Sequence, residues 1–176
     1  MNNARVIGLA GWSGAGKTTL LIRLIPLLTQ RGFKVATLKH AHHAFDVDQP
    51  GKDSYEHRQA GACEVIVSSA RRWAQMHEIG AGTEATLTQL LTRVSPCDFI
   101  LVEGFKREQH PKLEVHRAAN GKPALYTDDP RIIAVASDSA LSGCPVPVVD
   151  LNDIPAIADI VQACAAPLAA VLAAPG

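Results

Sequence analysis

One octet constrains the chain more than any other segment: Gly11-Trp-Ser-Gly-Ala-Gly16-Lys17-Thr18 fits the phosphate-binding pattern GxxxxGK[ST] without a mismatch. It follows the apolar, β-branched run Arg5–Ala10, RVIGLA, and precedes Leu20, Leu21, Leu24, Leu27 and Leu28 at helical spacing. Strand, loop and helix therefore come in the order the pattern requires. Glycines let the backbone wrap closely round an anion, the N–H groups from Gly14 to Thr18 point inward, and the helix N-terminus adds its positive end. Lys17 is expected to reach the β- and γ-phosphates and the Thr18 hydroxyl to ligate Mg²⁺, within a cradle of Gly11, Ser13, Gly14, Ala15 and Gly16.

The rest of the chain alternates strand and helix patterns. The first helix starts near Lys17 and stops before Gly32, with Pro26 predicting a kink near Ile22–Pro26 because it removes a backbone donor and crowds the preceding turn. Phe33–Lys39 reads as a strand, His40–Lys52 as a polar loop, and a helix is expected from near Asp53. Cys63–Ser68 and Trp73–Ile79 read as a hairpin, Thr83–Val94 as a helix with Leu87, Leu90, Leu91 and Val94 on one stripe, and Phe99–Val102 as a strand covered on both faces. Leu113–His116, Ile132–Ala136 and Val146–Val149 are further strands, and a closing helix runs from about Asp153 to Cys164. This order predicts an α/β fold of three layers, of the P-loop NTPase type, with a mainly parallel central sheet. Residues 1–166 are expected to form one nucleotide-binding domain, and the Ala/Pro-rich tail, 167–176, to fray.

Composition narrows the partners. With 17 Lys+Arg against 17 Asp+Glu, the 176 residues carry no net charge. The broad basic surface of generic nucleic-acid or anionic-membrane binding is missing, although a local basic pocket is compatible with this balance. No segment is long and apolar enough to span a bilayer, and the octet begins where a cleaved leader would need its apolar core, so a cytoplasmic protein is expected. Cys63, Cys97, Cys144 and Cys164 are too scattered for a zinc or redox pair and read as reduced core thiols.

A second acidic element is needed beside a phosphate loop. Asp98-Phe-Ile-Leu-Val-Glu103 offers one carboxylate at each end of a strand. Ligands of open α/β sheets bind beyond the carboxyl ends, which selects Glu103 as the Mg²⁺ ligand over Asp98, the plainer alternative being a pair of Glu103 with Lys106. No Asn-Lys-x-Asp sequence for reading guanine occurs. Asp138, after Ile132–Ala136 at the same edge, could accept from guanine N1–H and the 2-amino group, or could simply turn the loop. His40, His42 and His43 with Asp46 or Asp48 could hold zinc or nickel, or line a polar loop. Asp53 and Glu56 fit a helix cap, Lys39, Arg71 and Arg72 lie near strand ends where they could meet phosphate, and Trp12 and Trp73 suggest packing alone.

Three stretches, GLAGWSGAGKTTL, LKHAHHAFDVDQPGKDSYEHRQAGA and DFILVEGFK, together resemble the molybdopterin-guanine dinucleotide biosynthesis protein B, or MobB, family over roughly residues 5 to 140. The longer histidine-containing stretch carries the specificity. The resemblance implies a GTP-binding homodimer with weak GTPase activity. It also implies an adapter role for the guanylyltransferase that joins GMP to molybdopterin, with molybdopterin or molybdoenzyme chaperones as further partners. Gly14 to Thr19 would then bind phosphates, Thr18 and Glu103 would serve Mg²⁺, Lys17 and Glu103 would carry whatever hydrolysis occurs, and the Lys39–Ser54 stretch with Asp53 would border the pocket and the dimer contact. A small-molecule kinase and a GTP-driven metallochaperone using the His40–Asp48 loop are the alternatives. The first lacks an Arg-rich lid in this sequence and the second lacks Asn-Lys-x-Asp and extra Cys/His clusters.

Overall fold

Six parallel strands form the backbone of the protein. The computed structural model describes residues 2–41 and 45–174, and these divide into two compact units, Met1–His40 with Leu87–Gly176, and Ala41–Thr86. The first unit contains β1 (Arg5–Ala10), α1 (Lys17–Gln30), β2 (Val35–Lys39), α3 (Leu87–Leu91), β5 (Phe99–Glu103), β6 (Lys112–His116), β7 (Ile132–Ser137), β8 (Val148–Asp150), α4 (Ile154–Cys164), β9 (Ala166–Pro167) and α5 (Leu168–Ala173). The second holds α2 (Asp53–Gln59), β3 (Glu64–Ser68) and β4 (Trp73–His77).

The sheet of the first unit runs β2-β5-β1-β6-β7-β8, all parallel, with β9 antiparallel on β1. Alternation along the strands supplies both faces. Ile7, Leu9, Phe99, Leu101, Leu113, Val115, Ala134 and Ala136 pack against Leu20, Leu21, Leu24 and Leu28 of α1 and Ile157, Ala158 and Val161 of α4. Val6, Ile100 and Val102 point to the other face, against Leu87 and Leu91 of α3 and Leu168 of α5. β5 is buried along its whole length, as its uninterrupted apolar run requires. The three-layer α/β fold is thus as the sequence predicts.

Local differences have local reasons. α1 runs from Lys17 to Gln30 with the exposed Pro26 inside it, where the proline removes one backbone donor from the helix. The helix expected over Thr83–Val94 is only Leu87–Leu91, whose ends Leu87 and Leu91 are buried in the core, while Val94 packs against the same cluster from beyond the helix. The tail expected to fray instead folds back. Ala166–Pro167 pairs with Arg5–Val6, the Leu168 amide donates to the Ala4 carbonyl at 2.8 Å, and Leu168 is buried. All four cysteines are free thiols, but none is in the core: Cys63 and Cys164 are exposed and Cys97 and Cys144 half-buried.

β6 carries a polar cluster that its sequence, KLEVH, does not advertise. Glu114, buried, accepts from the amides of Leu125 and Tyr126 at 2.7 and 2.9 Å. Lys112, also buried, donates to the Asp129 carboxylate at 2.9 Å and the Glu108 carbonyl at 2.8 Å, and Arg131 donates to Asp129 at 2.7 Å. Burial holds Lys112 below the ordinary lysine range, opposed by Asp129. Asp129, which burial alone would raise, is held at about 2 by hydrogen bonds from Arg131 and Lys112. His110 lies beside them at 1% exposure, its Nδ1 buried without a hydrogen-bond partner.

Burial, with the charges of Lys112 and Arg131 outweighing Asp129, pushes the His110 imidazole down to about 4. In the unfolded chain the ring titrates near 6.5, so between these values the unfolded state binds the extra proton. Stability from this ring is therefore complete above about pH 6.5 and is lost as pH falls towards 4. Urea unfolding is expected to lose about 2 kcal/mol between pH 7 and pH 5 through this ring. His110→Gln should flatten the profile, whereas a wild-type profile that is flat over this range would contradict a buried neutral imidazole.

Candidate functional site

The phosphate loop leaves the carboxyl end of β1 and closes onto α1. Gly11 passes so near β6 that a Cβ there would stand 2.6 Å from the Val115 carbonyl oxygen. Gly16, the N-cap of α1, has φ 96°, in the left-handed region that costs a side-chain-bearing residue about 1 kcal/mol or more. The Leu20 amide donates to the Gly16 carbonyl at 2.8 Å, and α1 extends from there for 14 residues with its N-terminus at the loop. The Lys17 ammonium donates to the carbonyls of Gly11 and Trp12 at 2.9 and 3.1 Å, spanning the loop from inside. Burial holds Lys17 below the ordinary lysine range, Glu103 opposes this, and Lys106 and Lys39 add to it. Ser13, Gly14, Thr18 and Thr19 are exposed along the same loop, while Ala15 is buried beneath it.

Glu103 ends β5, in register with Leu9 of β1 and Lys39 of β2, and is 9% exposed. The Thr18 hydroxyl donates to its Oε1 at 3.5 Å, so the two expected metal ligands face one another. Hard oxygen donors of this kind, a threonine hydroxyl and a carboxylate, suit Mg²⁺, which keeps several waters. Asp98 lies at the opposite end of β5, where it accepts from the Lys34 amide at 2.7 Å. Lys106 stands over the Trp12 ring at 5.6 Å, with Lys122 at 5.9 Å, and the indole N–H donates to the Pro123 carbonyl at 2.8 Å. Trp12 thus organises two cations at the rim of the loop, a role beyond the packing expected of it.

Asp138 follows β7 at the same edge. Its Oδ1 accepts from the Ala118 amide at 2.9 Å and its Oδ2 is 3.8 Å from Arg117 Nη1. Ser137, Asp138, Ser139 and Ala140 face Val148, Val149 and Asp150 across a recess of about 250 Å³. Sequence reasoning missed Arg117. Its Nε donates to the Ala15 carbonyl at 3.0 Å, and it passes 3.1 Å from where a Cβ on Gly16 would be. Its position immediately after β6, at the carboxyl edge, is the signal the sequence carries.

In the second unit, Asp53 is the first residue of α2, yet Lys52 occupies the cap position and no side chain caps it, so the expected capping by Asp53 does not occur. Asp53 and Glu56 instead lie in the first turn, where the helix dipole favours carboxylates. Asp46 accepts from Arg58 with both oxygens, at 2.9 and 2.8 Å, and Asp48 accepts from the Ser54 hydroxyl at 3.0 Å. These carboxylates are engaged by cations and hydroxyls. Among the described residues no group of three or more His, Cys, Asp or Glu could hold a metal, and His42 and His43 lie outside those residues. Arg71 and Arg72 form the β3–β4 turn and are exposed, and Trp73 is 62% exposed rather than packed.

A parallel sheet with helices on both faces, a glycine-rich loop at the carboxyl end of its central strand, and a threonine and a glutamate converging beside it define a P-loop nucleotide-binding fold. Residues 6–138 match the family model of molybdopterin guanine dinucleotide synthesis protein B, MobB, and the chain belongs to that family. It is 47% identical over 159 residues, 89% of this chain and 90% of the relative, to the molybdopterin-guanine dinucleotide biosynthesis adapter protein of Escherichia coli (strain K12). The Haemophilus influenzae protein of the same description is 41% identical over 92% of this chain and 89% of its own length. A crystal structure of molybdopterin-guanine biosynthesis protein B (mobB) superposes with a TM-score of 0.71 at 25% identity, covering 90% of this chain and 97% of that one. Among the described residues no helix is long and apolar enough to cross a membrane.

Proposed function

We propose that this chain is a GTP-binding adapter in molybdopterin guanine dinucleotide biosynthesis, working in the cytoplasm with the guanylyltransferase of that pathway. The observation that carries the nucleotide part is the convergence of Lys17, Thr18 and Glu103 on one loop at the carboxyl end of β1. The adapter part rests on the description of relatives that share nearly their whole length with this chain. In this reading the loop amides and Lys17 hold the β- and γ-phosphates, and Thr18 and Glu103 hold Mg²⁺, which supplies charge neutralisation at the phosphates. The guanine base lies in the recess beside Asp138, whose carboxylate accepts from N1–H and the 2-amino group. Residues 1–166 act as the nucleotide-binding domain.

The functional unit in this reading is a homodimer. Ile66, Val67 and Trp73 on the β3–β4 hairpin and Phe45 and Val47 before α2 are exposed apolar side chains, a concentration that favours an interface over a solvated face. Hydrolysis is expected to be slow in an adapter, and turnover above a few per second by the isolated protein would contradict that role.

Calorimetric titration with Mg·GTP and Mg·ATP tests the reading. Wild type is expected to prefer GTP, and Asp138→Ala to lose most of that preference, on the order of 10-fold to 100-fold, while ATP affinity changes little. Equal affinity for both nucleotides, or a preference for ATP, would favour a kinase and leave Asp138 as a loop residue. Sedimentation of the same samples at the mass of the single chain, 18.7 kDa, would remove the homodimer.

A further inference from the structure

The two halves of the nucleotide site sit on different strands. The phosphate loop follows β1, and Asp138 follows β7, with β6 between them. Arg117, leaving β6, touches both: Nε donates to the Ala15 carbonyl at 3.0 Å, and Nη1 stands 3.8 Å from Asp138 Oδ2. Asp138 in turn fixes the start of the Arg117 loop by accepting from the Ala118 amide at 2.9 Å. Gly16 leaves the space the guanidinium occupies, its Cβ position lying 3.1 Å from Nε and 3.3 Å from Nη2. A fork of fixed, planar donors is suited to this spanning task, and a lysine with one ammonium is not.

We propose that Arg117 is the positioning residue that couples the phosphate loop to the base-reading edge, setting nucleotide specificity through Asp138 without touching the base. The proposal rests on the guanine reading above for its specificity part. Arg117 and Asp138 are 38% and 27% exposed along their side chains, and an ion pair so placed adds little to stability. Its effect belongs to the site. Arg117 holds the Ala15 carbonyl turned away from the bound phosphates, so that the neighbouring amides stay pointed at them, and it holds Asp138 in the orientation that guanine requires.

The test is a double-mutant cycle on Mg·GTP and Mg·ATP affinity with Arg117→Ala, Asp138→Ala and the pair, each checked by thermal unfolding. Arg117→Ala is expected to weaken GTP about 10-fold to 100-fold with melting nearly unchanged, and to lower the GTP-to-ATP preference as Asp138→Ala does. The double variant should bind GTP no more weakly than the worse single variant, because either change breaks the same connection. Arg117→Lys should not restore binding. Losses that multiply in the double variant, an Arg117→Ala loss equal for GTP and ATP, or full rescue by lysine would each overturn the coupling. A wild type that binds GTP and ATP alike would defeat the guanine reading alone, and the GTP arm of the cycle would still decide whether Arg117 and Asp138 act together. Should Arg117→Ala fail to fold, the cycle is run with Arg117→Lys and Asp138→Asn.

Discussion

Lys17→Ala is expected to abolish measurable nucleotide binding while leaving the protein folded. The side chain is half-buried and its hydrogen bonds go to two carbonyls of the loop itself, not to the core, so its loss is expected to cost little stability. The bound phosphates have no such substitute. A charge-assisted contact inside a cradle of amides is worth about 3 kcal/mol or more, which corresponds to at least a 100-fold rise in Kd for GTP. Lys39 and Lys106 lie close enough to act on Lys17 electrostatically, and neither is expected to replace it in the variant. Calorimetry beside a thermal melt reads both parts of the expectation. GTP affinity equal to wild type would dismantle the site as described.

Gly8→Ala is expected to show the reverse pattern. Gly8 lies in the middle of β1, where RVIGLA otherwise asks for a branched side chain, and it is retained because the His110 ring packs on its Cα. A Cβ would meet Nε2 at 2.3 Å and Cδ2 at 2.8 Å, with Lys112 Cγ at 3.2 Å behind them. Both of those side chains are fully buried, so the ring cannot swing aside without breaking the Lys112–Asp129 arrangement. Overpacking of this kind costs about 3 kcal/mol, or roughly 10 °C in Tm for a chain of this length. GTP affinity of the protein that remains folded should be near wild type. His110→Ala in the same chain should recover much of the loss, and a Gly8→Ala melt within a degree of wild type would mean that the strand and ring are not so tightly packed.

The contrast between these two positions shows how much was legible in the sequence. The phosphate loop could be read because its chemistry needs particular residues at fixed spacing, and Lys17, Thr18 and Glu103 converge as that spacing and strand polarity predict. The parallel sheet could be read because strands covered on both faces are apolar throughout, as in Phe99–Glu103. Lys112 and Glu114 break that pattern, being charged yet buried on β6. Their partners, Asp129 and the amides of Leu125 and Tyr126, arrive from a later loop, and periodicity carries no trace of a bond between distant segments. Arg117 was hidden for a similar reason, since its significance lies in the Ala15 carbonyl and Asp138, each on another strand's loop. The alanines at the end looked featureless because small residues give little hydrophobic signal, although Leu168 was enough to anchor them.

The pairing of Ala166–Pro167 with Arg5–Val6 gives the protein a particular order of assembly. During synthesis β1 emerges first, and its other neighbours, β5 and β6, arrive well before the last. One edge of the amino-terminal half of β1 is covered only by the segment that follows α4. Closing a contact across almost the whole chain is slow compared with forming local turns. Until that contact closes, one edge of Arg5–Val6 presents unpaired backbone, at the end of β1 opposite the phosphate loop, so β5 and β6 assemble the loop-bearing end of the strand before its other end is covered.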